Sequence, residues 1–165
     1  MTAALSLHDL TVRIGDATLL DGVTFDLDAG AIAAVVGPNG AGKTTLLDAI
    51  SGVAATATGT VSIAGSNGTH RAGSGPRAGV GRVFQGSPLP ETLTIGEVAA
   101  VKCGSRANAA DLLTRFGLMP HASSFVAELS TGMRRILDLA VATVGSPSVL
   151  LLDEPSSGLA QSEIE

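Results

Sequence analysis

Aromatic side chains are almost missing from this 165-residue chain: it has no tryptophan, no tyrosine and four phenylalanines. Surfaces on which bases could stack are therefore scarce. Charge is sparse as well. Ten Lys and Arg against fifteen Asp and Glu leave a formal net charge of −5, so nucleic acid is not expected as a ligand. A single cysteine, Cys103, can build neither an internal disulfide nor a Cys-rich zinc site, and nothing points to an oxidising compartment. Long apolar runs are lacking: 31–36 and 149–152 fall far short of the roughly 20 residues that span a bilayer. Residues 1–9 lack the basic start and apolar stretch of a signal peptide. The expectation is a soluble, cytoplasmic chain of one ordinary domain, whose 45% hydrophobic content excludes disorder.

Glycine, by contrast, is plentiful, at 21 residues. In 65–81 it reads as loop composition; elsewhere it sits at particular positions. Residues 5–14 alternate as a strand, 18–20 and 23–27 read as two more short strands, and the opening is an antiparallel meander. The continuous apolar run 31–36 predicts a strand buried on both faces of a parallel sheet. Helix signals cover 43–51 and end at Gly52. Residues 60–64 and 81–84 read as strands. Thr94 and Glu97 fit a capping box, 107–116 reads as a helix stopped by Gly117, and 149–152 as a short buried strand. Met133, Ile136, Leu137, Ala140, Val141 and Val144 recur at helical spacing within 130–144, which Gly145 and Pro147 end. The order of elements predicts an α/β fold.

Gly37-Pro38-Asn39-Gly40-Ala41-Gly42-Lys43-Thr44 has the spacing of a phosphate-binding loop. Glycines let successive N–H groups turn inward without a Cβ in the way, forming an anion nest, and the next helix adds its positive end. Lys43 would reach the β- and γ-phosphates of a nucleotide and Thr44 would be a magnesium ligand. Asp153-Glu154 closes the apolar run 149–152. Alone it could be an ordinary acidic strand end. Neighbouring strand residues point to opposite sides, so beside a phosphate loop Asp153 becomes a metal candidate and Glu154 a general-base candidate.

Four motifs now stand in order: the phosphate loop, Val83-Phe84-Gln85, Leu129-Ser130-Thr131-Gly132-Met133, and Leu150-Leu151-Leu152-Asp153-Glu154-Pro155-Ser156-Ser157-Gly158-Leu159. In this the chain resembles the ATP-binding cassette (ABC) ATPases over nearly its whole length. The resemblance implies a P-loop NTPase fold of the ABC type, with an N-terminal antiparallel β subdomain and a small helical insert at about 86–130. It implies ATP and Mg2+ as cofactors, with Gly37 to Thr44 and Thr45 on the nucleotide. Gln85 would be the glutamine that reaches the metal and the attacking water and senses a membrane partner. Ser130 and Gly132 would belong to the signature motif that caps the γ-phosphate held by the opposite subunit; Ser130 can be a plain helix N-cap at the same time. The implied partners are a second ATPase subunit, integral-membrane permease subunits and, indirectly, a solute-binding protein, at the inner face of the cell membrane. Residues 21–25, 37–47, 81–85 and 129–136 resemble the branched-chain amino-acid importer group in particular.

Departures from the family pattern accompany the likeness. Thr131 and Met133 stand where glycine and glutamine are common, Ile14 where an aromatic stacks on adenine, and Ala160 where an aspartate follows Gly158-Leu159. The family's switch histidine lies beyond a further strand, whereas His8, His70 and His121 all precede Asp153. The expectation is a single ATP-binding domain over 1–165, incomplete at its C-terminus. Two other readings stay open: a nucleotide-binding fragment with little turnover, and a non-transport ABC ATPase. The 45 positions from Gln85 to Ser130 are too few for a long coiled-coil insertion.

Overall fold

Alternation in the first strand sets the first layer. β1 (Ala3–Ile14) buries Leu5 and Leu7, then Leu10 and Val12, and leaves His8, Asp9 and Arg13 exposed: each pair keeps the period of two of a sheet with one covered face, and the phase shifts at Asp9, whose φ is 53°. In this computed structural model, which describes residues 3–54, 57–65, 69–72, 77–86 and 89–154, β1 pairs antiparallel with β2 (Ala17–Asp28) and with β3 (Ala57–Ile63). β3 pairs with β4 (Thr69–Arg71), giving the order β2-β1-β3-β4. The antiparallel opening expected from the sequence is there, with one change. Residues 18–20 and 23–27 are parts of one strand. Gly22 adopts φ 58° inside it, and its N–H donates to the Thr11 hydroxyl over 3.0 Å, so the break becomes an irregularity of the ladder rather than its end.

Helix α1 (Lys43–Ser51) ends as expected at Gly52, whose φ of 84° is left-handed. β5 (Val80–Val83) and β6 (Val149–Leu152) form a two-stranded sheet. The Val149 N–H donates to the Gly79 carbonyl and the Asp153 N–H to the Val83 carbonyl; both bonds advance by the same step, so these strands run parallel. The run 31–36 is not a strand. Residues 31–38 carry no regular structure and 31–40 are all exposed, Ile32 fully and Val36 at 88%. A strand needs a ladder on at least one side, and none of the pairings among the described residues involves this run.

The chain divides into two compact units: Met1–Val80 with Pro147–Leu151, and Gly81–Ser146 with Leu152–Glu165. The first has a core of Leu5, Leu7, Leu10, Val61, Ile50 and Leu151 among others. In the second, α2 (Ile95–Cys103), α3 (Arg106–Arg115) and α4 (Thr131–Ala142) enclose Ile95, Val98, Leu113, Val126 and Leu137. The capping box is complete: the Glu97 N–H donates to the Thr94 hydroxyl over 3.2 Å, and the Thr94 N–H to the Glu97 carboxylate over 2.8 Å. Cys103 ends α2 half-buried. On α4 the buried stripe differs from the apolar spacing. Leu137 and Ala140 are buried, but Ile136 is 39% exposed while Arg135 and Asp138 are covered.

Candidate functional site

In the first unit the loop before α1 is built by its glycines. Gly40 and Gly42 have φ of 81° and 87°. A Cβ on Gly42 would lie 3.1 Å from both the Leu19 carbonyl and the Leu20 side chain, so a larger residue there would crowd its neighbours as well as strain a left-handed backbone. Gly42 is also the N-cap of α1 and offers no side-chain acceptor, which leaves the first-turn N–H groups without a side-chain cap. Lys43 donates from Nζ to the Gly37 and Pro38 carbonyls, 2.9 Å each, and the Ala41 N–H donates to the Pro38 carbonyl over 3.2 Å. The ammonium is thereby held against the loop backbone. Gly37 to Ala41 and Thr44 are exposed, and Thr45 is half-buried. An uncapped helix start, a lysine fixed beside it and an exposed glycine loop fit a phosphate chain.

The acidic candidates lie in the second unit. Asp153 is 5% exposed and lies 3.8 Å from the Arg82 guanidinium, which stacks 4.4 Å over the Phe84 ring. Glu154 has φ 47°, uncommon for a residue with a side chain. Its carboxylate accepts from Gln85 Nε2 over 3.0 Å. Ser130 is the N-cap of α4, accepting from the Met133 N–H over 3.2 Å; Gly132 follows in the first turn. Thus Gln85 and Glu154 are brought together, and Ser130 caps the helix that also carries Arg135. Thr44 belongs to the first unit and Asp153 to the second. Among the described residues no three His, Cys, Asp or Glu cluster as a metal site. A threonine hydroxyl and a carboxylate are each, by themselves, oxygen donors of the kind magnesium takes. Ile14, on β1, is 63% exposed; Ala160 and the stretch 155–159 lie outside the described residues.

Residues 20–157 match the family model described as ABC transporter. The chain belongs to that family. Its relatives include a Nod factor export ATP-binding protein I of Paraburkholderia xenovorans (strain LB400), 38% identical over 95% of this chain and 54% of the relative. A sulfate/thiosulfate import ATP-binding protein CysA of Mycobacterium bovis (strain ATCC BAA-935 / AF2122/97) is 37% identical over 96% of this chain and 47% of its own. The chain thus spans about half the length of the curated relatives it matches. A solved ATP-binding cassette of an ABC transporter superposes with a TM-score of 0.83, at 22% identity, over 99% of this chain and 74% of that one. The fold is that of an ABC ATPase domain, α/β of the P-loop type. Among the described residues of this cassette, no helix is long and apolar enough to cross a membrane.

Two arginines carry contacts that no sequence pattern announces. Arg77 is buried and donates from one nitrogen to the Ala49 and Ile50 carbonyls, 2.6 Å each, at the end of α1. Burial pushes its pKa down. Arg135 donates to the Phe84 carbonyl over 3.2 Å and to the Glu154 carbonyl over 2.9 Å. A guanidinium reaching carbonyls 28 or 51 positions away leaves no local spacing to read. The one available hint was a charge beside the apolar stripe of α4.

Proposed function

We propose that this cassette binds ATP with Mg2+ and hydrolyses it as the energy-supplying subunit of an ABC transporter. The observation that carries the reading is the loop 37–44: an α1 start with no side-chain cap, and Lys43 held beside it by two carbonyls. In this reading Gly37, Pro38, Asn39, Gly40, Ala41, Gly42, Lys43, Thr44 and Thr45 take the phosphates, and Thr44, Gln85 and Asp153 the metal. Magnesium, when bound, would neutralise charge on the transferring phosphoryl group. Glu154 accepts the proton of the attacking water, and Gln85 orients its carboxylate through the 3.0 Å bond. Ser130 and Gly132 cap the γ-phosphate on a second ATPase subunit, and permease subunits hold the cassette at the inner membrane face, serving a solute-binding protein indirectly. No nucleic acid takes part. Residues 1–165 act as one ATP-binding domain with its helical insert at 86–130.

For the transported solute we propose branched-chain amino acids or a similar small solute, entering the cell. The support is the likeness of 21–25, 37–47, 81–85 and 129–136 to that importer group. Relatives named for export and for sulfate import make other cargoes the competing outcomes. A phosphate-release assay tests the enzymatic claim. Steady ATP turnover that Glu154→Gln lowers about a hundredfold or more while ATP binding persists supports it; a Glu154→Gln protein that hydrolyses ATP at the unaltered rate overturns the assignment of the base.

A further inference from the structure

Arg135 ties together two segments that the chain itself leaves far apart. Its residue is 9% exposed, and its two terminal nitrogens go to different carbonyls: one to Phe84, 51 positions away, the other to Glu154, 19 positions away. Neither bond touches a functional side chain; each fixes the backbone under one. The Phe84 carbonyl shares its rigid peptide plane with the Gln85 nitrogen, so holding that oxygen orients the base of Gln85. The Glu154 carbonyl belongs to a residue in the left-handed region, φ 47°, a conformation that persists when its surroundings over-determine it. The planar guanidinium presents its donors in a fixed fork, which sets the two carbonyls relative to each other. Between the side chains so oriented runs the Gln85–Glu154 hydrogen bond of 3.0 Å.

We propose that Arg135 is the positioning residue for the Gln85–Glu154 pair, acting through the two backbone carbonyls and making no contact with nucleotide. It lies in the same helix that Ser130 caps, so a shift of that helix start is carried by Arg135 to the base of both side chains. The proposal rests on the hydrolytic reading for its consequence in turnover, but its geometry can be tested without ATP.

The chain contains two glutamines, Gln85 and Gln161, so selective 15N-glutamine labelling gives two side-chain amide signals, and Gln161→Asn removes one. The Gln85 signal of the folded protein is expected to lie away from its position in Glu154→Ala, which lacks the acceptor. Arg135→Met is expected to move it to the Glu154→Ala position. Arg135→Lys, whose single ammonium cannot bridge both carbonyls, is expected to leave it in between. A signal unmoved in both Arg135 variants overturns the proposal, even if their melting temperatures fall, because a purely structural role predicts that pattern. In the turnover assay Arg135→Met is expected to lower kcat about tenfold or more with KM for ATP within about twofold; unchanged kcat in a folded variant also overturns it. A wild type that never hydrolyses ATP defeats the proposed function instead, and the amide signal still decides for or against Arg135.

Discussion

Gln85 donates its side-chain N–H to the Glu154 carboxylate over 3.0 Å, although 69 positions separate them in the chain. The bond occupies one carboxylate oxygen; in the proposed reaction the other takes the proton of the attacking water. Gln85→Ala should therefore lower ATP turnover about tenfold or more while leaving ATP affinity nearly unchanged. The two residues act as one unit, so adding Gln85→Ala to Glu154→Gln should cost little further. Steady-state kinetics of the two single variants and the double variant check this; losses that multiply would mean the pair acts independently.

Arg77 supplies the last turn of α1 with two hydrogen bonds of 2.6 Å. Replacing it by Met keeps the bulk and leaves the Ile50 carbonyl, at the buried end of the helix, short of a donor. Relief of the buried guanidinium offsets part of the loss. Arg77→Met should destabilise the fold by about 1–3 kcal/mol, read as a lower urea midpoint with an unchanged slope.

Gly59 sits at φ 91°, and a Cβ there would run into the Asp9 carbonyl and lie 2.8 Å from that of His8. Both obstacles are backbone of the adjacent strand β1, where the β1–β3 register shifts between His8 and Thr11. Gly59→Ala combines a left-handed conformation, about 1–2 kcal/mol, with overpacking of about 1–3 kcal/mol. Thermal melting should show one of the largest losses for any single alanine in the first unit. A melting temperature within a degree or two (about 0.5 kcal/mol) would contradict the close approach.

Much of this fold was legible because its signals are local. The helix over 43–51 announces both of its ends in glycines, Thr94 with Glu97 writes a capping box, and Ser130 precedes its helix as an N-cap. Each signal acts within one turn of chain. What sequence could not place depends on distant partners. The run 31–36 has strand composition, but a strand exists by its ladder, and an apolar run says nothing of who pairs with it. Apolar spacing put Ile136 inside and passed over Arg135, because backbone carbonyls at 84 and 154 that need a donor leave no mark on residue 135. The conformation of the loop 37–44 was legible for the opposite reason: its turning glycines and the lysine that bonds its carbonyls lie within eight residues. Glu154 could be named from its place at the end of an apolar run beside a phosphate loop, Gln85 only through the family resemblance, and their hydrogen bond only through the fold.

Glu97 makes part of the second unit pH-sensitive. The Thr94 N–H, followed by the Thr94 hydroxyl and the charge of Arg106, holds its carboxyl below the usual range. A carboxyl with a lowered folded-state pKa stabilises the fold fully above its unfolded pKa and loses that contribution as the pH falls through the folded value. The stability margin of wild type over Glu97→Gln should accordingly be largest near neutral pH and vanish in acid, measured by denaturant midpoints across that range. A margin that stayed constant in acid would assign the effect to packing rather than charge.

Nucleotide capture by the loop around Lys43 underlies every catalytic role proposed for this chain. Isothermal titration of the folded protein with ATP, with and without magnesium, and of Lys43→Ala beside it, tests this most directly. Saturable, magnesium-enhanced binding that weakens at least about tenfold, some 1.4 kcal/mol, in Lys43→Ala is the predicted result. Binding of equal strength in the variant, or no heat at all with the wild type, would contradict the account.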